Sequence, residues 1–115
     1  MNITLKTIFS KDAIIQRAQE FWDYKTPKEK IKLVKKYKHI SGIGEYTIDS
    51  WLTDFALLNH DQHTMIVKGE LIRTYDSLPN IDKTRIKQMF KLSIFSSKWY
   101  KLPHKDKSKL LNYFL

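Results

Sequence analysis

A chain of 115 residues with 42% hydrophobic and 13% aromatic content is long enough for one domain around one core. It holds no cysteine, which excludes a disulfide framework and a thiolate metal site, and no apolar run approaches the length of a membrane span. The formal net charge of +9 points to a polyanionic partner, and Met1-Asn2-Ile3-Thr4 does not begin a signal peptide, so an intracellular protein is expected, cytoplasmic, nucleoid-associated or nuclear.

Three glycines and three prolines leave little room for many hairpins. The expected fold is therefore all-α, a compact bundle of about five or six helices. The charge is unevenly spread. Residues 25–38 hold seven lysines and one acid, residues 83–109 nine basic residues and one acid, and residues 39–82 between them seven acids against Lys68 and Arg73. Each basic run reads either as a solvated helix face or as an arm for a polyanion.

Residues 2–9, with Ile3, Leu5, Ile8 and Phe9, fit a short extended arm or a helical lead-in equally well. Ser10 can cap a helix with Ile14, Ala18, Phe21 and Trp22 on its apolar side, leaving Arg17, Gln19 and Glu20 toward water. Thr26-Pro27-Lys28-Glu29 is a helix start: Thr26 caps, Pro27 suits the first turn, and Glu29 completes a capping box. Ile31, Val34, Tyr37, Leu33 and Ile40 form the buried stripe of that helix, with Lys28, Lys32, Lys35 and Lys36 off it.

Ile40-Ser41-Gly42-Ile43-Gly44-Glu45-Tyr46-Thr47-Ile48 follows. Two glycines around one apolar residue predict a tight hairpin between helices, since glycine tolerates φ > 0 and leaves the backbone bare. Amides after Gly44 would open a second helix, and free N–H groups there favour an anion such as a DNA phosphate. The same residues also serve as a plain turn. Ile48, Trp51, Leu52, Phe55 and Leu58 recur at helical spacing and predict a central core helix from about Glu45 to Leu58, with Trp51 as core.

Asn59-His60-Asp61-Gln62-His63 reads as a polar loop; two histidines and an aspartate there are weak grounds for a metal site, with no HExxH pattern. Gly69 argues against one unbroken helix from Met65, so a helix is expected from about Gly69, burying Leu71, Tyr75 and Leu78. Pro79-Asn80 turns the chain. Asp82 can cap a helix with Ile86, Met89, Phe90 and Ser93 inward and Arg85, Lys87 and Lys91 outward. Trp99-Tyr100 and Pro103 mark a junction before a last helix over about residues 104–114, docking Leu110, Leu111 and Phe114.

The central segment resembles the helix-hairpin-helix DNA glycosylase superfamily, the base-excision repair enzymes related to endonuclease III. The family pattern of Pro, Gly, apolar, Gly, two variable residues, a small residue and then a helix is met by Ser41-Gly42-Ile43-Gly44-Glu45-Tyr46-Thr47-Ile48, with Ser41 in the place of Pro. The run from Gly42 to Ser50 looks most like the mismatch-thymine and methyl-CpG-associated members, and the match covers about residues 28–80. The resemblance implies that amides around Gly42, Gly44 and Tyr46 take a phosphate. Ile43, Thr47, Lys35, Lys36 and Lys38 would add to the DNA contact. It also implies that carbonyls of Lys38, Ile40 and Ile43 can hold a monovalent cation, with no other cofactor expected.

Four departures follow from the same comparison. Bifunctional members carry a Schiff-base lysine where Tyr46 stands. The family's catalytic Asp, at a helix start about twenty residues beyond the hairpin, falls on Lys68, or on Gly69 if the alignment shifts by one. A cation there opposes the positive sugar that base excision develops, and about 4 kcal/mol of lost attraction near 4 Å is about three decades in rate. Glu70, two residues along a helix from Lys68, points nearly the opposite way. Finally, about forty residues precede the hairpin, too few for the family's base-flipping pocket, and Glu45, Asp49 and Asp54 crowd the proposed phosphate site.

Three functions follow. The first is a non-catalytic protein holding duplex DNA. The second is a minimal glycosylase using another acid or Lys68 as an amine nucleophile. The third is a protein-interaction or inhibitor module that kept the fold. The oligomeric state is open, and no membrane partner is expected.

Overall fold

The computed structural model describes residues 5–37 and 48–115. Its α-helices are α1 (Leu5–Ile8), α2 (Lys11–Asp23), α3 (Pro27–Tyr37), α4 (Ile48–Trp51), α5 (His60–Ser77), α6 (Asn80–Phe90) and α7 (His104–Phe114). Single 3-10 turns lie at Phe55–Leu57 and Trp99–Lys101, and no strand occurs among the described residues. The expected all-α fold is present, with α2, α3, α5, α6 and α7 each of eleven residues or more. No helix of the described residues is long and apolar enough to cross a membrane.

The first helices start where their caps predict. Ser10 Oγ accepts from the Ala13 amide at 3.2 Å, and Ile14, Ala18 and Trp22 recur every four residues on the buried side of α2. At α3, Thr26 and Glu29 exchange bonds of 2.9 and 3.3 Å, closing the capping box. The Thr26 backbone and hydroxyl bonds hold the Glu29 carboxyl below the usual range. Of the ambiguous N-terminal stretch, residues 2–4 lie outside the described residues; Leu5–Ile8 form one helical turn, and Leu5 and Phe9 are buried.

The predicted core helix over 45–58 is corrected. Residues 45–47 lie outside the described residues, and α4 ends at Trp51. Tertiary partners take the backbone groups that a continuing helix would need. The Thr53 carbonyl accepts from the Trp22 indole N–H at 2.9 Å and from Lys30 Nζ at 3.0 Å, while the Phe55 amide donates to Asp23 Oδ1 at 2.8 Å. Trp51, Phe55 and Leu58 are nonetheless core, whereas Leu52 faces out. Trp22 and Trp51 meet edge to face at 5.9 Å, a pairing favoured by the ring quadrupoles.

The expected loop at 59–63 is also corrected. Asn59 and Gln62 form a reciprocal capping box with two bonds of 3.0 Å, so His60 to His63 are the first turn of α5. α5 then runs through Gly69 without a break. A mid-helix glycine costs about 1 kcal/mol against alanine. Burial of Met65, Ile66, Val67, Leu71 and Tyr75 outweighs that many times over. This helix, lying chiefly along α2, is the centre of the bundle.

α6 starts at Asn80 with Pro79 as its N-cap, two residues before the cap expected at Asp82, which instead pairs with Arg85 at 3.8 Å. Ile86 is buried and Phe90 partly so, but Met89, still inside the helix, is exposed, and so is Ser93, which falls after the chain has left the helix at Lys91 in the left-handed region with φ 54°. α7 follows Pro103 as expected. Its Phe114 packs with Phe9 and Phe90, at ring distances of 4.7 and 6.0 Å, and closes the core.

Candidate functional site

The hairpin residues Lys38, Ile40, Gly42, Ile43, Gly44, Tyr46 and Thr47 all lie outside the described residues. On either side of them α3 and α4 pack against each other. Lys35 and Lys36 occupy the last turn of α3 and are exposed, as are Lys28 and Lys32. Lys30 departs from that face. It sits four residues before the buried Val34, is itself buried, and holds its ammonium 5.2 Å from the Trp22 ring.

Downstream, Lys68 is half-exposed in the interior of α5, about two turns from its first residue rather than at a helix start. Glu70 lies on another side, as the helical geometry requires. Its Oε1 is 3.0 Å from Arg73 Nη2; its Oε2 accepts from the Thr74 hydroxyl at 3.1 Å and lies 3.7 Å from Arg17 Nε. Arg17, expected to face water, turns inward and donates to the Ile8 carbonyl at 2.5 Å. Arg73 lies 3.9 Å from the Phe21 ring centre, and a Cβ on Gly69 would meet its Nη1 at 3.3 Å. Gly69 thus leaves room for a guanidinium layered on the helix. Shallow depressions of about 400 and 380 Å³ flank Arg17 and Glu70. Two guanidiniums and a hydroxyl satisfy the carboxylate, so it ties α1, α2 and α5 together rather than standing free as a general acid or base.

The third region is residues 83–109. Arg85, Lys91, Lys98, Lys101, Lys105 and Lys109 are exposed, and Lys87 and Lys107 half-exposed. The one acid of the stretch, Asp106, is completely buried. Its oxygens accept from the Ser93 amide at 2.9 and 3.1 Å, from the Ser93 hydroxyl at 2.9 Å and from the Ile94 amide at 3.4 Å. Burial pushes this carboxyl up, but the bonds from Ser93 and Ile94, helped by Lys105, outweigh it and hold the group below the ordinary value.

The buried lysine of the stretch, Lys83, donates to the Ser97 carbonyl at 2.6 Å and to the Asp76 carbonyl at 3.3 Å. The Tyr75 hydroxyl donates to the Ser96 carbonyl at 2.6 Å, and the Trp99 amide to Asp76 Oδ1 at 2.7 Å. Burial, then the charges of Asp76 and Asp106, raise the Tyr75 phenol. Lys109 Nζ donates to the Lys91 carbonyl at 2.7 Å, joining the end of α6 to α7.

Among the described residues no three metal-ligating side chains converge. His63 faces the Phe55 carbonyl with Nε2 and stacks on the Phe55 ring. His63 also lines a mainly apolar cavity of about 170 Å³ with Ile15, Phe55, Val67 and Phe114.

No protein-family model, curated protein or solved structure matches this chain.

Residue patterning alone missed Lys30, Lys83 and Asp106. Two of them carried a signal. Lys30 falls on the same helical row as Val34, and Lys83 on that of Ile86 and Phe90, so each occupies an inward position. Asp106 stands alone among cations, which marks it without saying that it turns inward.

Proposed function

We propose that this protein is a non-catalytic DNA-binding protein that holds the backbone of duplex DNA through its basic faces. The observation that carries the reading is the sorting of charge over residues 83–109, where Lys83 is buried but the other eight lysines and arginines are exposed or half-exposed, while Asp106 is enclosed and internally satisfied. An outward field of one sign attracts a polyanion whatever its sequence. The exposed lysines of α3 supply a second face. The resemblance to helix-hairpin-helix glycosylases adds the hairpin of Gly42, Gly44 and Tyr46 as a phosphate contact. On the same resemblance no catalysis is expected, because Lys68, or Gly69 if the alignment shifts by one, falls where those enzymes place a carboxylate.

The test is binding of a labelled duplex over a salt series. Each phosphate contact steepens the decline of log K with log salt by about 0.9. A Lys35→Gln/Lys36→Gln variant is expected to flatten the slope by about 1 to 2. A Gly42→Ala/Gly44→Ala variant is expected to weaken binding; equal binding reduces the hairpin to a turn. Absence of salt-dependent binding overturns the proposal. Excision of uracil, mismatched thymine or an alkylated base, lost on Lys68→Ala but kept on Lys35→Ala, replaces it with the enzymatic reading.

A further inference from the structure

Residues 91–98 form an irregular segment between α6 and the 3-10 turn at Trp99–Lys101. Irregular backbone of this length is ordinarily among the less stable parts of a fold. Here it is held from inside at four points: Asp106 grips the Ser93 and Ile94 amides, Tyr75 the Ser96 carbonyl, Lys83 the Ser97 carbonyl, and, just past its end, Asp76 the Trp99 amide. Two of those four groups are buried charged side chains, Lys83 and Asp106. Burying a charge is costly unless it is fully bonded; Asp106 takes its bonds from Ser93 and Ile94 of this segment, and Lys83 makes its shorter bond to the Ser97 carbonyl and a longer one to the Asp76 carbonyl of α5.

Between and beyond these anchors the side chains turn out. Phe95 is 43% exposed, Ile94 45% and Tyr100 70%. Lys91, Lys98 and Lys101 are exposed along the same stretch, and the Lys101 ammonium lies 5.8 Å from the Tyr100 ring centre. A firmly anchored segment therefore displays two rings among cations. Phosphate contacts alone give no use to exposed rings, and the surrounding positive charge disfavours a second copy of this chain. Unpaired bases offer both a π-face for each ring and a phosphate for each cation.

Resting on the reading of this protein as a binder of nucleic-acid backbone, we propose that residues 91–101 take single-stranded DNA, with Phe95 and Tyr100 stacking on unpaired bases and Lys91, Lys98 and Lys101 meeting the phosphates. Five residues span at most about 17 Å of backbone, so both rings lie within the reach of one stretch of a few nucleotides. Stacking is tolerant of sequence, so the site discriminates paired from unpaired strands rather than one base from another.

The test compares a labelled mixed-sequence 15-mer with its own duplex, for wild type and for Phe95→Ala/Tyr100→Ala. The expected result is tighter binding of the single strand by wild type. The variant is expected to lose about 30-fold or more on the single strand and little on the duplex, with an unchanged salt slope because the rings are neutral. Unchanged helical content and thermal midpoint exclude misfolding, and Tyr100→Phe, which keeps the ring, is expected to retain the preference. Wild type that binds duplex at least as well as single strand, with the double variant unaltered, overturns the stacking site and leaves the backbone reading standing. Wild type that binds neither overturns both. Loss of binding to phosphatidylserine vesicles by the variant, with single-strand affinity intact, reassigns the rings to a lipid surface and overturns the proposal.

Discussion

The ammonium of Lys83 lies 2.6 Å from the carbonyl oxygen of Ser97, fourteen residues away, and it reaches there from a position that is 4% exposed. Replacing Lys83 with methionine keeps the bulk and removes the donor, leaving the Ser97 and Asp76 carbonyls short of a partner. The expected loss is about 1.5–3 kcal/mol in denaturant unfolding, the range for hydrogen bonds involving a charged group. Lys87→Met, at a half-exposed position of the same helix, is expected to stay within about 0.5 kcal/mol. On the proposed DNA-binding function, Lys87→Met is expected to flatten the salt slope and Lys83→Met is not, because a buried ammonium meets no phosphate.

Asp106 makes stability depend on acid. Its folded carboxyl is held below the ordinary value of about 3.9. The unfolded chain therefore takes up a proton first as pH falls, and the stabilisation, complete above about pH 4, is lost as pH drops through the lowered folded value. Asp106→Asn is expected to cost about 1–3 kcal/mol at neutral pH and to flatten the dependence of unfolding free energy on pH below 4. A variant as acid-sensitive as wild type assigns the acid limb to other carboxyls.

Tyr75 does the reverse at alkaline pH. Burial foremost, then Asp76 and Asp106, raise its phenol above the ordinary value of about 10. Its contribution is present below that pH and is lost as pH rises through the raised folded value. Tyr75→Phe is expected to cost about 1 kcal/mol, from the bond to the Ser96 carbonyl, and to reduce the loss of stability above pH 10.

Gly69 and Arg73 are coupled. Alanine at 69 gains up to about 1 kcal/mol of helix propensity, but its Cβ would stand 3.3 Å from the Arg73 guanidinium, which must shift against Phe21 and Glu70. Gly69→Ala is expected to stabilise an Arg73→Ala background by about 1 kcal/mol and the wild type by less. A double-mutant cycle reads the difference. Equal gains in both backgrounds mean that the guanidinium gives way freely.

Local chemistry in the chain was enough for helical class, for the caps at Ser10 and Thr26, for the stripes of α2 and α7, and for Trp51 as core. Each of these depends on residues within one or two turns of one another, where spacing and hydrogen-bonding capacity are read directly. Tertiary contact decided the rest. α4 stops at Trp51 because Trp22, Lys30 and Asp23, remote in sequence, claim the Thr53 carbonyl and the Phe55 amide. α5 passes through Gly69 because the burial along its length exceeds the local cost of a glycine. Lys83 and Asp106 bear charges that composition assigns to the surface, yet each turns inward to backbone that the fold brings beside it. A charge count fixes how much cation the chain carries, but burial, set by the packing of distant segments, decides which charges face outward.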